Sequence, residues 1–257
     1  MNSLSSKVLL LLGFVIWTNT GTLVHASSGS NEMSVKTNNC IVYVIDGAGG
    51  AGYLPHVLKR SLAKSPIEVE QFKWGKGFGH IIADLTDREN IDKKSLELSS
   101  KIREYKSLNP DKHIYVVAKS AGTIIALLAL SHLDANAVDR AILLSPAVSP
   151  RFDLDPALRA VRRDLISFWS PLDWFYLGFG TSVFGTADGV HGRSAGLVGF
   201  DTTNAAAREK FKQVKWRPSM VFYLHPGTHF GNSMPPFVKK FVLPLLEDGS
   251  TQQTTEL

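Results

Sequence analysis

From Cys40 onward, short apolar runs rich in β-branched residues alternate with longer amphipathic stretches, and this rhythm predicts strands at residues 41–45, 67–72, 114–118, 141–144, 165–169 and 220–224. Between them the helical period predicts helices over 54–63, 93–108, 121–133, 156–163, 203–213 and 236–246. Runs such as Ile41-Val-Tyr-Val-Ile45 and Ile114-Tyr-Val-Val-Ala118 are apolar at successive positions, so both faces of each strand must be covered. The alternation therefore predicts an α/β protein: a three-layer domain with a mainly parallel sheet of about six strands flanked by helices. One stretch breaks the rhythm. Residues 171–204 are rich in Gly and aromatic side chains, including Trp174, Phe175, Tyr176, Phe179 and Phe184, as in a long functional loop or lid.

The ends of the chain read differently. Lys7, the apolar run from Val8 to Trp17 and the small-residue site Val24-His25-Ala26 make residues 1–26 a signal peptide, with export to a periplasmic or extracellular space as the consequence. An apolar run of ten residues falls short of the ~20 that span hydrocarbon. Residues 27–39 are polar and aperiodic, a flexible lead-in; the globular domain is expected over 40–248 and a frayed tail over 249–257.

Composition narrows the function. Apolar residues make up 44% and charged residues 20%, which is the balance of a chain with a full core. The net charge of +5 tolerates contact with an anionic membrane surface, but Lys and Arg are interspersed with Asp and Glu, so no clustered footprint for nucleic acid exists. Cys40 is the only cysteine, which excludes an internal disulfide and a multi-cysteine metal site; in an apolar strand it is expected to be a small buried side chain.

The strongest chemical signal is Ala118-Lys-Ser120-Ala-Gly122, at the junction of a buried strand and a helix. Small residues at 118 and 122 let strand and helix approach closely, so a serine between them can be held in a tight turn. The plain alternative for Ser120 is a helix N-cap. The pentapeptide, a G-x-S-x-G with Ala in the first position, resembles the nucleophile elbow of the α/β-hydrolase superfamily, and the Ala-first form is similar to that of small bacterial lipases. The resemblance covers about residues 41–246 and lacks the first two strands of larger members.

That resemblance implies a Ser-Asp-His order along the chain. Asp173, after the predicted strand 165–169, then takes the place of the acid, with Asp188 in Gly-Thr-Ala-Asp-Gly as its rival. His229, in Gly-Thr-His-Phe-Gly, takes the place of the base in preference to His225 at the strand end, which is expected to be a packed histidine. The glycine-rich loop Asp46-Gly-Ala-Gly-Gly-Ala-Gly52 would supply an oxyanion-hole amide at Ala48 or Gly49, and Ala121 the other. Trp74 and His80, in Trp-Gly-Lys-Gly-Phe-Gly-His, and Trp174 are candidates to line a substrate pocket, and Lys119 is expected to point away from the nucleophile.

The function implied is an exported serine hydrolase acting on carboxylic esters or related acyl compounds, lipid-like ones included, without metal or organic cofactor. Two other readings stand beside it. One is an α/β-hydrolase-like binding protein without turnover. The other is a nicotinamide-dinucleotide oxidoreductase, because Gly47, Gly49 and Gly52 also spell G-x-G-x-x-G, with Glu68 and Glu70 near the ribose-binding distance. An exported protein is a poor place for that cofactor, and the fingerprint leaves the Ser120 elbow without a purpose.

Overall fold

A computed structural model describes residues 39–247 other than 51, 78, 175–185 and 203–207. The expected signal peptide, nearly all of the lead-in, the tail and part of the aromatic loop lie outside the described residues. The strands are β1 (Cys40–Ile45), β2 (Ile67–Phe72), β3 (His113–Lys119), β4 (Val138–Leu144), β5 (Val161–Trp169) and β6 (Phe211–Lys215). They form one sheet in the order β2-β1-β3-β4-β5-β6, and every adjacent pair is parallel. Parallel pairing forces each connection across a face of the sheet, and the helices that cross it give the three-layer α/β architecture expected.

The inner strands explain why the runs are apolar on both faces. In β1, Ile41, Tyr43 and Ile45 enter one core cluster while Val42 and Val44 enter another; in β3, Ile114, Val116 and Ala118 oppose Tyr115 and Val117 in the same way. One face is covered by α3 (Arg88–Leu108), α4 (Gly122–Ser131) and α5 (Asp155–Ala160), the other by α1 (Tyr53–Ser61) and the carboxyl-terminal helical run. Helix α3 is long and mostly solvated, so it buries only the stripe Ile91, Ser95, Leu98, Ser99 and Ile102. Helix α4 lies between α3, α5 and the sheet, and eight of its ten residues are buried.

The carboxyl-terminal half departs from expectation. The segment expected to form the last strand, 220–224, is instead a 3-10 helix, Pro218–Tyr223, whose start suits a proline with its fixed φ. The sixth strand is Phe211–Lys215, at the end of the segment expected to be a helix over 203–213. Its sequence, Phe-Lys-Gln-Val-Lys, has no apolar run, because an edge strand has one flank and much of its surface in water. The helix expected over 156–163 ends at Ala160, and Val161 continues directly into β5, four residues ahead of the expected start.

Two further differences lie elsewhere. A short helix, α2 (Ile81–Thr86), precedes α3, which begins at Arg88 behind an Asp87 side chain that accepts the Asn90 amide. The final helix contains a π-helical turn, Val238–Val242, just before Pro244, whose missing N–H would otherwise leave a gap in an α-helical ladder.

The strand order places a topological switch point between β1 and β3: from β1 the chain moves outward to β2, then returns to the other side of β1. In open parallel sheets such a switch point is where loops from the carboxyl ends of the strands build functional sites. The glycine-rich loop and the Ser120 turn both leave from that edge.

Candidate active site

The Ser120 turn is built by backbone demands before any chemistry. Ser120 has φ 52, in the left-handed region that non-glycine residues rarely adopt, at a cost of order 1–3 kcal/mol. Three backbone bonds over-determine it. Its N–H donates to Leu144 O at 2.9 Å, while its carbonyl accepts from Thr123 N at 3.1 Å and Ala147 N at 3.3 Å. Gly122 permits the helix to start hard against β1: a Cβ there would meet Asp46 O at 2.4 Å and Ile45 O at 2.8 Å. Gly47 faces the serine, and a Cβ on it would lie 3.1 Å from Ser120 Cβ.

The N-cap alternative for Ser120 fails. The residue before α4 is Ala121, and no side chain caps the helix. The Ser120 hydroxyl instead lies 3.0 Å from His229 Nε2, and His229 Nδ1 lies 2.7 Å from Asp173 Oδ2. A carboxylate only accepts, so the Nδ1 side carries the imidazole proton and Nε2 is left to accept from the hydroxyl. The structure thus brings together Ser120, Asp173 and His229, which are 53 or more residues apart in sequence. His229 and Asp173 are buried, and Asp173 Oδ1 has no hydrogen-bond partner among the described residues, so the imidazole is that carboxylate's sole side-chain partner.

The rivals are otherwise engaged. Asp188 accepts the Ser149 amide at 2.9 Å and braces the loop after β4. His225 is packed edge-on against Phe237, with ring centroids 4.7 Å apart, and its Nδ1 accepts the Gly227 amide. Burial pushes its pKa down to about 4, so the ring is neutral and structural. Asn232, three residues after His229, donates to Ser145 Oγ at 2.6 Å and ties the histidine loop to the end of β4.

The glycine-rich loop corrects one expectation. Gly47 to Gly50 form a turn closed by Gly50 N–H on Gly47 O at 3.2 Å, with Gly49 at φ 81, the geometry of a type II turn. The Gly47 amide donates to Asp46 Oδ1, and the Gly49 amide donates to Asp84 Oδ2 at 2.8 Å. Gly49 therefore has no N–H to offer an oxyanion. The amides of Ala48 and Ala121 have no partner among the described residues and remain as donors. Two carboxylates already hold amides of this loop, so it presents negative charge where a pyrophosphate would need a positive field.

Trp74 does not line an open pocket. It is 4% exposed, and its indole N–H donates to Asp46 O at 2.8 Å, so it is a strut beneath the loop. His80 is exposed at the amino end of α2. Trp174 is 64% exposed next to Asp173 in the chain; Ile81 adjoins Gly49, Leu172 adjoins Gly227 and Phe230 adjoins His229, and all three are exposed apolar side chains bordering the site loops.

Lys119 is buried, with its ammonium 5.0 Å from the centre of the Phe230 ring. Burial lowers its pKa, and the charges of Asp46 and Asp173 act in the opposite direction. Cys40 is buried, as expected.

No family model and no curated protein matches the chain. Among solved structures it is similar to the Pyrococcus furiosus esterase Pf2001, at 12% identity over 79% of this chain and 82% of that one, with a TM-score of 0.45. It is also similar to the phospholipase PlaB from Legionella pneumophila, solved with thio-NAD, at 13% identity over 53% of this chain and 39% of that one, with a TM-score of 0.33.

Proposed function

We propose that the protein is an exported serine hydrolase of the α/β-hydrolase kind, cleaving carboxylic esters or related acyl compounds. The observation that carries this reading is the unbroken relay from Ser120 Oγ through His229 to Asp173, with both links at hydrogen-bond length and the serine on a left-handed backbone. A solitary serine hydroxyl is a weak nucleophile; an imidazole within 3.0 Å can take its proton as the oxygen attacks an acyl carbon. Asp173 then stabilises the imidazolium and holds its tautomer. The tetrahedral oxygen would be met by the amides of Ala48 and Ala121. His229 returns the proton to the leaving alcohol, and a water activated by the same imidazole releases the acid from Ser120.

The exposed apolar rim of Ile81, Leu172, Trp174 and Phe230 favours substrates with an apolar acyl or alkyl portion. Labelling by a fluorophosphonate probe tests the nucleophile: the wild type should label stoichiometrically and Ser120→Ala should not, and equal labelling of both would refute the assignment. For export, the amino-terminal sequence of protein recovered outside the cytoplasm should begin near Ser27; an intact Met1 there would refute the cleaved leader.

A further inference from the structure

Asp84 is the fully buried carboxylate of a helix that carries no other buried residue. Its two oxygens divide between two loops. Oδ2 accepts from Gly49 N–H and Oδ1 from Lys76 N–H, each at 2.8 Å. Gly75 closes over it, since a Cβ at that position would lie 2.4 Å from Oδ2. Burying a carboxylate is costly unless its lone pairs are filled, and two backbone amides from different loops fill them here.

The donors of the glycine turn can be accounted for completely. The Gly47 amide is taken by Asp46, the Gly49 amide by Asp84 and the Gly50 amide by the Gly47 carbonyl. Ala48 is left over. In a type II turn the Ala48 carbonyl and the Gly49 N–H share one rigid peptide plane, so fixing the Gly49 N–H fixes that plane and, with the Gly47–Gly50 bond closing the turn, leaves the Ala48 N–H little freedom to swing. Gly47, directly before Ala48, abuts the Ser120 side chain.

We propose that Asp84 is a positioning residue for the oxyanion site: by holding the Gly49 and Lys76 amides it withdraws Gly49 from the reaction and leaves Ala48 N–H as the loop's donor to the tetrahedral oxygen. This rests on the serine-hydrolase reading above. Asp84 touches no reacting atom; it acts through the turn.

The test uses the full chain, p-nitrophenyl butyrate as substrate and butylboronic acid as a tetrahedral adduct of the serine. Asp84→Asn keeps the volume but offers one acceptor oxygen to two amides. It should lower kcat by about tenfold to a hundredfold, against the ~10²–10³ typical of losing a donor outright. KM should stay within about threefold, and the boronate should bind more weakly by the factor lost in kcat. Ala48→Pro deletes the leftover N–H at a turn position where proline is favoured. It should lower kcat by about 10²–10³-fold with the melting temperature retained, and Asp84→Asn added to it should lower kcat little further.

Asp139→Asn is the structural control. Asp139 is also buried and accepts a backbone amide, that of Ile114, but at the amino end of the sheet. It should lose stability and keep kcat. The proposal is overturned if Asp84→Asn keeps kcat within about twofold, if its loss only follows the unfolded fraction as in the control, or if its effect on the Ala48→Pro background is undiminished. Should Asp84→Asn fail to fold, a folded Ala48→Pro protein with full kcat overturns it. A wild type with no Ser120-dependent turnover or labelling would instead sink the hydrolase reading itself.

Discussion

Lowering the pH from 7 to 5 should weaken the fold through His225, ahead of the usual acid unfolding of carboxylates. The ring is 4% exposed, its Nδ1 accepts the Gly227 amide, and Gly231 passes so close that a Cβ there would lie 2.0 Å from Nδ1. There is no room for a proton on that nitrogen without breaking the loop that carries His229. Burial therefore lowers the pKa from 6.5 in the unfolded chain to about 4 in the native one. The unfolded state takes up a proton below 6.5 and the native state resists until about 4, so stability is intact above pH 6.5 and declines across the interval between the two. At about 1.4 kcal/mol for each tenfold change in proton affinity, the loss is about 2 kcal/mol by pH 5 and approaches about 3 kcal/mol near pH 4. For a domain of this size about 2 kcal/mol lowers Tm by roughly 4–8 °C. Urea unfolding of the wild type and His225→Asn at pH 7, 6 and 5 measures it, since Asn keeps an acceptor oxygen and removes the titration. The two stability curves should converge as pH falls. Curves that stay parallel within about 0.5 kcal/mol would refute the reasoning.

Asp173→Asn should fold normally and lose about 10⁴-fold in kcat, because the amide lets the imidazole settle in the wrong tautomer; Asp188→Asn should keep turnover, and the reverse pattern in ester hydrolysis assays would move the acid to Asp188. Gly122→Ala would place a methyl against two backbone carbonyls at 2.4 and 2.8 Å. It should destabilise by about 3 kcal/mol or more in urea and reduce Ser120 labelling in the folded fraction. Removing the Asn232–Ser145 bond by alanine at either position should cost about 1–3 kcal/mol, and the double variant should show a coupling of at least about 0.5 kcal/mol; strict additivity in the cycle would mean that the bond contributes nothing.

The inner strands were legible because both their faces are buried, so the apolar signal is continuous at Ile41 to Ile45 and Ile114 to Ala118. The edge was not. Val221, Phe222 and Leu224 look like a strand in sequence, yet they are exposed on a 3-10 turn, while Phe-Lys-Gln-Val-Lys pairs with β5. An edge strand is specified by backbone bonds to its neighbour, which leave little trace in side-chain polarity. Ser120 and Asp173 were legible because each lies just past the end of a strand, whereas His229 was legible from chain order and its Gly-Thr-His-Phe-Gly setting, the strand expected before it being a 3-10 helix. Asp84 was not, since nothing about an acid inside Ile-Ile-Ala-Asp-Leu announces that its partners are the amides of Gly49 and Lys76. The burial of Lys119 was not legible either, since the Phe230 ring that its ammonium lies over is more than a hundred residues away in sequence.

The two ends of the sheet hold buried charge differently. At the amino end, Asp139 fills both oxygens with the Ile114 amide, His113 and Arg162, and Asp164 fills both with Arg140 and Lys212. Burial acts to raise the pKa of each carboxyl, and these partners outweigh it, leaving both below the ordinary range. Such clusters lock strands together and leave no carboxylate oxygen empty. At the carboxyl end, Asp46 Oδ2 and Asp173 Oδ1 are buried without a partner among the described residues, and the Lys119 ammonium lies over the Phe230 ring. Leaving buried lone pairs empty costs about 1–3 kcal/mol each, an arrangement that stability alone disfavours. It is retained at the edge where Ser120 is held in its left-handed turn, as expected if those charges act on an imidazole that must become a cation during turnover.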